Sequence, residues 1–148
     1  MAYKNASSTY KETTIKTAGQ GQLIVMLYDE AAKQLTKAIE LLEQNNTQKK
    51  DPGRIEQISK AVMKTEEILT ELMVSLDFEQ GGEISKNLFS LYTWFNRELL
   101  EANINKDVSR MTTVKDMISE LRNAWSQIAS QNPAEPLNRE AIGINIAG

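Results

Sequence analysis

Apolar residues recur at steps of three and four in four successive blocks of this chain, and only a few turn-forming residues separate the blocks. On a helix turning about 100° per residue, that spacing collects them on one side, so each block must bury a face against a neighbour. The first helix is predicted from about Gln22 to Asn45, with Leu23, Leu27, Ala31, Leu35, Ala38 and Leu42 as its stripe. Asp51-Pro52 opens the second well, because the carboxylate can accept free amide hydrogens and Pro fits the first turn. Its stripe is Ile55, Ile58, Val62, Ile68 or Leu69, Leu72 and Leu76. Gly81-Gly82 interrupts the pattern where a helix end and a left-handed turn are expected. Ile84, Leu88, Leu91, Phe95, Leu99 and Ala102 mark the third helix. After Asn103-Ile104-Asn105-Lys106, Asp107 can cap a fourth, carrying Val108, Met111, Val114, Ile118, Leu121, Trp125 and Ile128 and ending before Pro133.

Short connections favour antiparallel neighbours, so the predicted fold is all-α, an antiparallel up-down four-helix bundle over residues 20–131. Residues 1–19 form an N-terminal arm, polar but carrying Tyr3, Tyr10 and Ile15 as anchors. Residues 132–148 are expected to form a flexible tail, in which Ile142, Ile144 and Ile146 alternate as an edge strand would.

Composition removes whole classes of function. A formal charge of -3 leaves no basic footprint for nucleic acid. The absence of Cys excludes disulfides, thiolate nucleophiles and Cys-based zinc sites, and it suits a cytoplasmic location. Neither a leader-like apolar segment after Met1 nor a run of about 18 apolar residues is present, so neither secretion nor membrane insertion is expected. The zero count for His reaches furthest. Helical bundles used for histidine phosphotransfer or di-iron chemistry need that residue, as do Ser-His and Cys-His nucleophiles. Acidic neighbours such as Asp29-Glu30 and Glu66-Glu67 remain, but no nucleophile, base and orienting group stand together. The chain is expected to be no enzyme, to have no catalytic or metal-binding residues, and to need no cofactor.

Residues 23–28 read Leu-Ile-Val-Met-Leu-Tyr, six apolar side chains that surround the helix although bundle packing covers a stripe little over about 100° wide. Phe89 and Trp94 widen the apolar arc of the third helix in the same way. Either the arm closes these surfaces into a larger core, or they form a groove for a partner helix. Tyr28, Tyr92 and Trp94 suit a groove edge, each having an apolar body and one polar atom.

The stretch Leu-Asp-Phe-Glu-Gln-Gly-Gly-Glu-Ile-Ser-Lys-Asn-Leu at 76–88, followed by Leu91-Tyr92, closely resembles the signature of the flagellar chaperone family FliS. Met26-Leu27-Tyr28-Asp29, Glu101-Ala102-Asn103 with Asp107, and Leu121-Arg122 with Ala124-Trp125 match in the same order, so the resemblance spans about residues 7–130. It implies a bundle that binds the C-terminal segment of flagellin in the cytoplasm, prevents its premature polymerisation and keeps it fit for type III flagellar export. The export gate is a further partner in that picture, and self-association without client stays open. Residue by residue, Tyr10 resembles the arm tyrosine, while Ile24, Leu27 and Tyr28, with Leu23 beside them, fall on the family's helix-one surface. Leu72, Leu76, Leu88, Leu91 and Tyr92 fall in the matching regions of helices two and three, and several of them fit equally as pure core. Thr93 and Gln20 depart from the family's usual Asp and Pro at those places. The pattern by itself also accommodates a helical adaptor for another secretion component or a self-assembling structural subunit.

Because no His titrates near neutrality and isolated carboxylates stay ionised, binding of a His-free client segment should change by less than about twofold between pH 6 and 8. Calorimetric titration across that range checks this, and a tenfold change would contradict an interface made mainly of apolar contacts.

Overall fold

Asp51 adopts an extended backbone (φ -131°, ψ 119°), its carboxylate accepts from the Gly53 amide at 2.9 Å, and Pro52 occupies the first turn that follows. The residues chosen for this corner therefore start a helix there, as their chemistry requires. In the computed structural model, which describes residues 20–131, four helices follow one another: α1 (Gln20–Thr47), α2 (Pro52–Val74), α3 (Phe78–Asn105) and α4 (Val108–Gln131). The arm with Tyr10 and the Ile-bearing tail lie outside the described residues. The α1–α2 corner is closed by Asn45, buried at the end of α1, whose side-chain oxygen accepts from the Asp51 amide at 3.1 Å.

The second corner differs from the sequence expectation. α2 stops at Val74, not at Gly81-Gly82, and Leu76 lies in the connection with its side chain buried. Asp77 starts α3 by accepting from the Glu79 and Gln80 amides at 3.0 and 2.9 Å. Two amides on one carboxylate outweigh the helix-breaking tendency of the glycines that follow. The glycines act one turn later. Gly82 has φ 52° and ψ -125°, a reversal that kinks α3 after its first turn. Phe78 and Phe89 are eleven residues apart and would stand about 16 Å apart along a straight helix. The kink brings their rings to 5.8 Å in an edge-to-face arrangement. At the third corner Lys106 takes a left-handed conformation (φ 52°, ψ 52°), and Asp107 accepts from the Arg110 amide at 3.2 Å to cap α4.

Three short connections make neighbouring helices antiparallel. α1 packs closely on α2 and on α4, whereas α3 touches the same two helices less intimately and makes no close backbone approach to α1. Flanked on both sides, α1 buries a wide arc, which accounts for much of its apolar run. Ile24, Leu27 and Tyr28 are buried, while Leu23, Val25 and Met26 are half-covered. Both Ile68 and Leu69 of α2 are buried. The Arg122 guanidinium donates from Nε to Asp29 at 2.8 Å and ties α4 to α1, worth at most about 1 kcal/mol at the surface.

Two tyrosines join α1 and α3 across the centre of the bundle. The Tyr28 and Tyr92 hydroxyls are hydrogen-bonded to each other, both rings are fully buried, and Trp125 of α4 stacks obliquely on Tyr28 at 6.5 Å. Burial pushes the Tyr92 phenol up to about 12, partly offset by the hydrogen bond from Tyr28. Tyr28 is raised well above its usual value, first by burial and then by the charge that Tyr92 would carry.

The kink generates one prediction. A Cβ at Gly82 would meet nothing within 4 Å, so Gly82→Ala is disfavoured by backbone strain alone. It should cost about 1–3 kcal/mol, read as a lower denaturant midpoint at unchanged slope. No loss would mean that the first turn of α3 straightens and Phe78 leaves Phe89. The tyrosine pair generates another. Tyr92→Phe leaves the Tyr28 hydroxyl buried with one partner fewer and should cost about 1–3 kcal/mol, and the double Phe variant should cost less than the sum of the two singles. Because the folded state keeps both protons while unfolded tyrosine ionises near about pH 10, wild-type stability should fall as pH rises from there towards 12. Denaturation series in that range read this decline, and the double Phe variant should lack it.

Candidate functional site: an apolar groove between two helices

Ser59 of α2 donates to the Asn103 side chain of α3 at 3.3 Å, which sets the register of these antiparallel helices. Phe89, Asn96 and Asn103 recur every seven residues, so they lie along one line of α3 that faces α2. Ser59, Glu66 and Met73 lie along the facing line of α2 by the same reckoning. Counting from the Ser59–Asn103 pair, Met63 stands level with Leu100, Glu66 with Asn96, and Met73 with Phe89.

Several large apolar side chains along this seam remain in solvent. Met63 is 58% exposed and Leu100 52% at one end, and Val74 is 80%, Phe78 48% and Phe89 43% exposed at the other. Ile104, one turn past Leu100, extends the band, while exposed Ile84 lies off it towards α4. The looser contact of α3 with α2 explains why these groups are not drawn into the core. Exposed large apolar side chains grouped along one seam make it the candidate interaction surface.

The candidates named from sequence fall in three places. Ile24, Leu27, Tyr28, Leu72, Leu76 and Tyr92 are buried among the helices. Leu23, Leu88 and Leu91 are half-buried at helix edges, where Leu88 and Leu91 pack against the core. Tyr10 lies outside the described residues. Phe89 was singled out by its position off the stripe, and the structure adds Met63, Val74, Phe78 and Leu100, which the stripe analysis did not mark. The available signal was the same in each case: a large apolar residue displaced from the face that its neighbours define. Trp94 is half-buried against Phe95, with ring centroids 5.8 Å apart.

The groove offers little chemistry beyond binding. Among the described residues no group of three or more acidic side chains is placed to hold a metal ion, and no helix is long and apolar enough to cross a membrane. A separate pocket of about 510 Å³ lies at the opposite end of the bundle from Phe78, lined by Leu42, Asn45, Ile55 and Lys106 among others.

Known proteins place this architecture. The flagellar protein FliS family profile matches residues 3–132. The flagellar secretion chaperone FliS of Salmonella typhimurium is 37% identical over 118 residues, covering 80% of this chain and 82% of that protein. The protein of the same name from Escherichia coli is 34% identical over 116 residues, covering 78% and 80%. The one from Bacillus subtilis is 28% identical over 127 residues, covering 86% and 88%. With a family match across nearly its whole length and these relatives, the chain belongs to the FliS family.

Proposed function

We propose that this chain is a cytoplasmic flagellar export chaperone that binds the disordered C-terminal segment of flagellin, prevents its premature polymerisation and keeps it competent for type III export. The observation that carries this reading is the solvent-facing apolar band along α2 and α3, on a chain whose relatives are named flagellar secretion chaperones. A secreted subunit must be held without being folded to completion. An apolar groove does this by covering the client's own apolar face, so that neither aggregation nor assembly can use it.

In this reading the client lies against Met63, Leu100, Phe89 and Phe78, while Leu23, Leu88 and Leu91 supply half-covered edges. Ile24, Leu27, Tyr28, Leu72, Leu76 and Tyr92 support those edges from below. The arm, through Tyr10, occupies client surface until flagellin displaces it. The export gate then receives the pair, and catalysis plays no part.

Calorimetric titration with the flagellin C-terminal segment tests the proposal. Binding should show a clearly negative heat-capacity change and an unfavourable ordering entropy, since a disordered segment folds as it buries apolar surface. Phe89→Asp and Leu100→Asp should each weaken binding by at least about 2 kcal/mol, roughly thirtyfold. Both positions are already in solvent, so these variants should still melt cooperatively, and Glu40→Ala on the exposed side of α1 should bind as wild type does. Folded variants with undiminished affinity would remove this groove from the site.

A further inference from the structure

The band is not apolar throughout. Midway along it, by the register counted from the Ser59–Asn103 bond two turns away, Glu66 of α2 falls level with Asn96 of α3. Glu66 is half-buried and has no ion pair among the described residues. The nearby Lys60 is engaged one turn back, with Glu56 at 3.4 Å. Asn96 Oδ1 is buried and has no hydrogen-bond partner among the described residues. Burial holds the Glu66 carboxyl above its usual range, as expected of a charge removed from water without a partner.

At one level of the groove, then, a half-buried carboxylate lacks a cationic partner among the described residues and a buried amide oxygen lacks a hydrogen-bond donor. Each arrangement disfavours the free protein, because a partly desolvated carboxylate and an unmade hydrogen bond both carry a cost. Replacing both by apolar groups of similar shape would relieve that cost. Their presence is intelligible if a ligand brings the missing donor.

We infer that the α2–α3 groove accepts an amphipathic helical segment with a Lys or Arg between its apolar anchors, the cation pairing with Glu66 and donating to Asn96 Oδ1. A cation suits the site better than a neutral donor, since it compensates the carboxylate and forms the stronger, charge-assisted bond. The terminal torsion of Asn is broad, so the amide can turn its oxygen towards an incoming group. Asn96 lies four residues from Leu100 and seven from Phe89, about 6 and 10 Å along the helix axis. A partner helix that matches these levels carries an apolar residue, a cation four positions away, and a second apolar residue seven positions beyond. This rests on the groove being the client site, and it states what the client must present there.

The test titrates the full chain with two synthetic helical peptides that share Leu anchors at this spacing and differ only in a central Lys or Glu. The Lys peptide should bind at least tenfold more tightly, with an affinity that falls as salt is raised, and Glu66→Gln should abolish the preference. Glu66→Gln should melt at the same temperature as wild type or higher at neutral pH, because the amide removes a half-buried charge, so unfolding cannot imitate the loss. Asn96→Leu should keep the preference in part and lower the affinity for the Lys peptide. Equal affinity for the two peptides, a preference that survives Glu66→Gln, or failure of both to bind overturns the inference. If the Lys preference holds and the flagellin segment does not bind, the groove takes a cation-bearing helix but its client is not flagellin; if flagellin binds without that preference, the chaperone reading survives and the cation site fails.

Discussion

The contact between the Tyr28 and Tyr92 hydroxyls governs how α3 sits in the bundle. α1 and α3 are diagonal neighbours whose backbones do not closely approach, and this buried hydrogen bond joins them. Neither phenol reaches water, so each depends on the other or on Trp125 for its polar atom. A hydroxyl pair of this kind holds a separation between two helices as well as an attraction, because closer packing would leave no room for two phenols end to end. Tyr92, Phe95 and Leu99 fill the centre beside it, while Phe89 and Leu100 on the α2 side of α3 stay exposed.

That edge carries most of the exposed large apolar side chains among the described residues. The kink at Gly82 supplies its aromatic end by folding Phe78 back onto Phe89, and the pair contributes about 0.5–1.5 kcal/mol beyond simple burial. Ser59 and Asn103 hold the other end in register. Ion pairs add comparatively little. Arg110 approaches Glu98, Glu101 and Asp107 at 3.7 to 3.8 Å, all on side chains with substantial solvent contact, so the cluster orients the α3–α4 corner more than it stabilises it.

The groove is also where local choices conflict with stability. Met63, Leu100 and Phe89 stay largely in solvent, Glu66 is half-buried without an ion pair, and Asn96 Oδ1 lacks a donor. Elsewhere the helix ends are well satisfied: Asp51, Asp77 and Asp107 each cap a helix, and Asn45 closes the first corner. Conflict confined to one seam of an otherwise consistent bundle is what a site that awaits a partner would show.

The amino-acid sequence alone determined the helices, their antiparallel order and most of the core, because a stripe at helical spacing can be buried in only one way. Ala31, Leu35, Leu42, Ile58, Val62, Leu99, Met111 and Ile118 were legible as core for that reason, and all are buried. Asp51-Pro52 and Asp107 were legible as caps because capping is local chemistry. Where two local signals competed, the outcome was not legible. Asp77 and Gly81-Gly82 each favour a break, and the structure uses the first as a cap and the second as a kink inside α3. The surface was least legible. Ile24, Tyr28 and Tyr92 could have lined a groove or filled the core, whereas Met63 and Leu100 lie off the apolar stripes and were not marked by them. Burial depends on how far apart neighbouring helices stand, and that distance follows from side chains remote in sequence, such as the two tyrosines 64 residues apart. The sequence states which residues can be apolar anchors, and the spacing of α3 from α2 decides which of them meet water.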